Sequence, residues 1–178
     1  MKLAAKIYIL RICLIRIFAA SLSQTDMRPK PVIILLTAFV QWTWGIIQSA
    51  IGLLLFLVFV RNRHFFFRTS VVTCWKIPYS LGCGMFIFLN DTNLDAYSDE
   101  LNDKMTYDTL VHEYGHNLQS IILGPLFFPV IAIPSLIWAS VPYFLRLRKR
   151  KKLSYYWLYC EKWANMLGDK VCENKRRF

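Results

Sequence analysis

"PVIILLTAFVQWTWGIIQSAIGLLLFLVFV", residues 31 to 60, runs for 30 residues without a charge. About 20 apolar residues cover the hydrocarbon core of a bilayer, so this stretch predicts one long, tilted transmembrane helix over 31–60. Gln41 and Gln48 lie seven residues apart on one helical face and are expected to turn toward protein rather than lipid. Trp42 and Trp44 fall in the middle of the run instead of in an interfacial belt, and read as packing residues. Composition agrees with the run. Of 178 residues, 56% are hydrophobic, above the roughly 45–50% usual in soluble domains, and the excess is concentrated rather than periodic.

The charges work outward from the apolar runs. The net charge is +11, but its cations cluster beside apolar sequence, as in "RNR" at 61–63 and "RLRKRKK" at 146–152. Such juxtamembrane clusters face anionic lipid headgroups. No nucleic-acid recognition motif accompanies them, so no nucleic-acid partner is expected. Residues 1–30 form a basic N-terminal segment in which Arg11 and Arg16 interrupt the apolar residues. That pattern suits an interfacial helix better than a cleaved signal peptide; Met27, just before the apolar run, is an alternative start. The five cysteines, at 13, 74, 83, 160 and 172, form no CxxC pair, and free thiols are expected.

Beyond Arg63, "HFFFRTSVVTCWK" (64–76) and "LGCGMFIFL" (81–89) are aromatic and β-branched, and predict two strands paired as a short β-hairpin. The acidic stretch 90–103 reads as a loop. Asp91, Asn93 and Asp95 imitate the start of a calcium-binding loop, but Ala96 replaces the required glycine. A helical pattern follows from about Asn102 to Leu123 and stops at Gly124-Pro125. A second apolar run, 126–145, is punctuated by Pro129, Pro134 and Pro142. The last predicted element is an amphipathic helix over about 154–168. The expected divisions are therefore 1–30, 31–60, 61–124, 125–145 and 146–178. The expected fold class is an α+β membrane protein with one long transmembrane helix, a β-hairpin, a motif-bearing helix, a proline-broken re-entrant or second membrane segment and a C-terminal helix.

The motif on the 102–123 helix is "HEYGH", residues 112 to 116. Residues four apart project from one helical face, so His112 and His116 can ligate one Zn²⁺. Glu113, beside them, can take the proton of a metal-activated water as general base. Zinc needs a third protein ligand and keeps its fourth position for water when catalytic. His64 and the acidic-loop carboxylates are candidates. A better one lies in "YYWLYCEKWANMLGD" (155–169), where Glu161 and Asn165 stand four apart. If Glu161 binds the metal, Asn165 can orient a ligating imidazole.

The pair His112-Glu113-Tyr114-Gly115-His116 and Glu161-Lys162-Trp163-Ala164-Asn165 resembles the HExxH and ExxA(D/N) motifs of gluzincin zinc metallopeptidases, in particular the integral-membrane CaaX-prenyl and heat-shock endopeptidases. It is similar, too, to small bacterial membrane proteins of unknown function that share HEYGH. The resemblance implies Glu161 as third ligand, Asn165 as support for the first histidine where the family usually has aspartate, and an edge strand near the metal to which an extended substrate adds. For that strand "GMFIFL" (84–89) is the candidate.

If residues 126–145 simply crossed a bilayer, Glu161 would be stranded on the side opposite His112 and His116. A re-entrant hairpin turning around Pro134 removes the conflict. The expectation is thus a zinc metallopeptidase that hydrolyses peptide bonds at a membrane surface, with the lipid bilayer and a peptide or protein substrate as partners. It would sit in the bacterial plasma membrane, its zinc site cytoplasmic by the positive-inside rule. The alternative is a non-enzymatic scaffold or binding protein whose zinc site is structural or degenerate.

Overall fold

The computed structural model describes residues 29–90 and 99–172, with side chains omitted for 99–103. The N-terminal basic segment up to residue 28, the calcium-loop imitation and the last six residues lie outside the described residues. The described chain is a mixed α/β fold of six α-helices and one four-stranded sheet. In order these are α1 (Pro31–Thr43), α2 (Ile46–Val58), β1 (His64–Phe67), β2 (Ser70–Trp75), β3 (Leu81–Cys83), β4 (Phe86–Asn90), α3 (Asp99–Leu123), α4 (Ile133–Ser140), α5 (Pro142–Lys151) and α6 (Tyr159–Cys172). A 3-10 turn and a π-helical turn join α3 to α4, and another 3-10 turn, Tyr155–Trp157, precedes α6.

No single described helix is long and apolar enough to cross a membrane, which overturns the expected long transmembrane helix. Residues 31–60 form two helices bent by 102°. The bend falls at Gly45, where a Cβ would come within 2.4 Å of the Gln41 side-chain oxygen. Hydropathy missed it because an apolarity average does not register one glycine.

The run 126–145 is also broken, by 73°, but not at Pro134. Pro134 sits inside the continuous helical stretch Phe128–Ser140, just after its π-helical turn, without bending it sharply. The break is at Val141, which the following Pro142 holds extended at ψ 124°.

The expected hairpin is differently wired. Each predicted strand is itself a hairpin: β1 pairs antiparallel with β2, and β3 with β4. The turns use the left-handed backbone of Arg68 and Gly84, at φ 55° and 65°. The two hairpins join through parallel pairing of β2 with β4, so the order is β1-β2-β4-β3. "GMFIFL" therefore supplies an interior strand, and the sheet ends in β3 on that side and in β1 on the other.

Alternation along the strands builds two cores. Phe86, Phe88 and Trp75 pack with Phe56 and Phe59 from α2 and its end. Val72, Ile87 and Leu89 face the other way, onto Leu110, Val111, Tyr114 and Leu118 of α3 and Val171 of α6. Burying a side chain such as the wholly enclosed Ile87 or Phe88 contributes about 1.5–3 kcal/mol. The layers run α2, sheet, α3, α6, with α3 in the interior.

The α1–α2 pair is inverted relative to a helix of a water-soluble protein. Apart from Ile33, which joins the core, its buried positions are small or polar: Thr37, Gln41, Gly45, Gln48, Ser49 and Gly52. Its exposed positions are apolar: Val32, Leu35, Phe39, Leu54 and Val58 are each at least 64% exposed. The NH2 groups of the buried amides donate to backbone carbonyls, while Gln41 Oε1 accepts from Ser120 Oγ and Gln48 Oε1 has no hydrogen-bond partner among the described residues. Gln41 donates to Gly84 and Asn117, and Gln48 to Gly124. Trp42, expected to pack, is exposed.

Candidate metal centre

Ten consecutive residues of α3, Val111 to Ser120, are buried. One face is hydrophobic core; the other carries His112, Glu113, His116 and Gln119 toward α6 and β3. The two helices can meet closely because both place small residues at the crossing. A Cβ on Gly115 would lie 2.0 Å from the Ala164 carbonyl oxygen, and one on Gly168 would lie 2.1 Å from that of Val111. Gly115 is thus a spacer within the motif, and it brings Glu161 to the histidines.

His112, His116 and Glu161 come together as a buried group able to hold a metal ion, with one ligand atom from each lying within 4.8 Å of the others. Glu161 Oε2 is 3.0 Å from His112 Nε2 and 3.4 Å from His116 Nε2. Ligand atoms about 2.0–2.1 Å from a tetrahedral ion are roughly 3.3 Å apart, so these separations need little adjustment. Glu161 is wholly buried, and its Oε2 has no hydrogen-bond partner of good geometry. A buried carboxylate oxygen left so is costly, and a cation at the centroid of the three ligand atoms satisfies it.

Each imidazole is fixed by its other nitrogen. His112 Nδ1 is 2.8 Å from Asn165 Oδ1, and His116 Nδ1 is 2.8 Å from Gln119 Oε1. The Gln119 amide donates through Nε2 to the Cys160 carbonyl at 2.8 Å, which turns its oxygen toward His116. With a metal bound, donation of Nδ1–H to these acceptors would leave both Nε2 lone pairs for the ion; without one, an Nε2–H can instead donate to Glu161. An acceptor oxygen is all the position demands, and the Asn165 side chain supplies one. The sequence reading passed over Gln119; its place three residues after His116, on the same helical face, was the available signal.

Burial pushes the Glu113 carboxyl above its usual range, against the opposing pull of His112 and His116; a backbone hydrogen bond from Gly82 on β3 also favours its ionised form. Burial likewise opposes ionisation of Glu161, but the two adjoining imidazoles outweigh it and hold that carboxyl well below the ordinary range. Gly82 is the second close approach at the site, since a Cβ there would meet the Glu113 carbonyl at 2.4 Å and His116 Cβ at 3.1 Å. Strand β3 therefore lies directly on the motif. The Tyr156 ring stands edge-on to His112, centroids 5.1 Å apart.

Of the other candidates for third ligand, His64 separates from the site. His64 is engaged elsewhere, through Thr73 Oγ1 and the Val60 carbonyl, each at 3.0 Å. The carboxylates of residues 91–98 lie outside the described residues. Cys160 contacts Glu161 through the opposite oxygen, Oε1, at 3.6 Å. No disulfide joins the described cysteines.

Replacing Asn165 or Gln119 by alanine frees one imidazole to rotate, and is expected to weaken metal affinity about 10- to 100-fold each. Competition with a chromogenic chelator measures it; unchanged affinity in both variants would show that the two amides do not orient the ligands. Compared with known protein families, curated proteins and solved structures, the chain matches none.

Proposed function

We propose that the chain is a zinc metallopeptidase hydrolysing peptide bonds at a lipid surface. The observation that carries this reading is a ligand set of three, His112, His116 and Glu161, with no fourth His, Cys, Asp or Glu joining it among the described residues. A structural zinc site closes with four protein ligands, whereas a catalytic one keeps a position for water. When bound there, zinc lowers the pKa of a coordinated water toward neutrality and polarises the scissile carbonyl.

The chain's own residues supply the rest. Glu113, carboxyl-bearing but outside the ligand set, takes the proton of the attacking water and delivers it to the leaving amine. Its burial raises its affinity for protons above that of an ordinary carboxylate, which strengthens it as a base. Asn165 and Gln119 keep the imidazoles aimed. β3, terminal in the sheet and packed on the motif through Gly82, offers backbone groups to which an extended substrate can add as a strand.

The lipid surface enters through the inverted pattern of α1–α2. Apolar side chains outside and hydrogen-bonded polar groups inside suit a hydrocarbon solvent. Both bent helix pairs have the length and composition for it. Seated this way the pairs need not cross, and His116 and Glu161 remain on one side.

The test is cleavage of a mixed-sequence peptide library by detergent-purified full-length protein, read by mass spectrometry. New termini should appear with zinc, vanish on chelation and return on zinc addition. A metal-loaded protein that cuts nothing would favour the alternative of a non-enzymatic binding protein.

A further inference from the structure

A second feature lies on the far side of the Tyr155–Trp157 turn from the metal ligands. Between α4, α5 and this turn is a cavity of about 600 Å³, lined by Ile137, Trp138, Phe144, Leu147 and Trp157 with Lys151 as its charged member. Its size is within the roughly 300–1,000 Å³ of small-ligand sites. The walls are aromatic and fixed: Trp138 stacks on Trp157 at 6.1 Å and leans on Phe144 at 5.7 Å. On the outer face of α4, Ile133 and Leu136 are more than half exposed, so the cavity adjoins a surface that is apolar as well.

The charge beside it has one sign. Residues 142–152 include six cations, Arg146, Arg148, Lys149, Arg150, Lys151 and Lys152, and no acid. Arg148 lies over Trp138 and Tyr155, its Cζ 5.5 and 5.3 Å from the ring centroids. Its Nε is shielded from solvent and has no hydrogen-bond acceptor among the described residues. A guanidinium N–H in that position is a donor awaiting an anion.

We infer that this cavity is a binding site for an anionic phospholipid, one acyl chain entering among Ile137, Phe144 and Leu147 while Arg148 and Lys151 hold the phosphate. The apolar walls select a hydrocarbon chain, and the uncompensated cations select the charged headgroup over a zwitterionic one. A water-soluble phosphate would leave the cavity unfilled, and a neutral lipid would leave the cations unanswered. The inference rests on the lipid-surface reading above and not on the metal chemistry. It also gives the turn a role, because a bound chain would brace Trp157 and with it Tyr156 against His112.

Full-length protein, reconstituted in equal parts dioleoyl phosphatidylglycerol and dioleoyl phosphatidylcholine and released into native mass spectrometry, tests it. One phosphatidylglycerol per chain should be retained, about tenfold or more over phosphatidylcholine. Leu147→Trp, which fills the cavity, should abolish retention. Arg148→Gln with Lys151→Gln, which removes both charges and keeps polar side chains of moderate length, should bring the two lipids near parity, with a melting temperature measured beside it to show that the variant is folded. Metal content, measured on the same samples, should be equal in all three proteins, and its absence throughout would count against the peptidase reading alone. Equal retention of both lipids by the wild type, or a preference surviving Leu147→Trp, would overturn the site.

Discussion

Glu113→Gln is expected to leave the metal in place and lower peptide hydrolysis by about 10²- to 10⁴-fold, the usual contribution of a positioned general base. The change keeps the size of the side chain and an oxygen able to accept from the Gly82 amide that hydrogen-bonds the carboxyl. It removes only the capacity to hold a proton. Since Glu113 is not among the three clustered ligands, metal stoichiometry should equal that of the wild type. Initial rates on a peptide cut by the wild type, beside metal content of both proteins, decide the matter. Full activity in Glu113→Gln would remove the base from the mechanism; loss of metal would mean that the carboxylate is a ligand.

The second large effect is structural, and its sign is diagnostic. By helix propensity alone, Gly115→Ala should stabilise an interior helical position by roughly 0.5–1 kcal/mol. The crossing says the opposite. A Cβ there would lie 2.0 Å from the Ala164 carbonyl oxygen, a backbone atom that can yield only if α6 moves as a whole. Overpacking of this kind costs about 1–3 kcal/mol, and for a chain of this length each kcal/mol lowers the melting temperature by about 2–4 °C. Because His112 and His116 are on α3 and Glu161 on α6, the displacement also opens the metal group. Gly115→Ala should therefore melt several degrees lower and bind metal more weakly. A melting temperature at or above that of the wild type, with metal binding intact, would mean that the helices are not in contact as described.

The sequence disclosed the site more readily than the architecture around it, for physical reasons. His112, Glu113, His116, Glu161 and Asn165 are local patterns of spacing four on two helices, and helical periodicity survives in any tertiary context. Gly115, Ala164 and Gly168 matter only once the two helices cross, so one helix read at a time gives them no meaning. Gln119 needed only the observation that i+3 shares a face with i. The fold was misread where an average replaced geometry: residues 31–60 are as apolar as a transmembrane helix, yet Gly45 turns them through 102°.

Likewise, four prolines between 125 and 142 signalled a break without saying which one makes it. Pro134 is carried within a helical stretch that begins at Phe128, and it is Pro142 that holds its predecessor extended. The strand regions were located, but each expected strand is two, and their pairing was not foreseen. Nothing local announces that β2 and β4 run parallel, since that choice depends on where two hairpins dock.

The account stands most directly on whether His112, His116 and Glu161 hold a metal at all. Metal content of detergent-purified full-length protein, by inductively coupled plasma mass spectrometry, measures it for the wild type beside His116→Ala. Removing one of three ligands should reduce occupancy from about one zinc per chain to near zero after dialysis. A wild type that binds no zinc, or a His116→Ala variant that keeps it, would contradict the metal centre and the chemistry built on it.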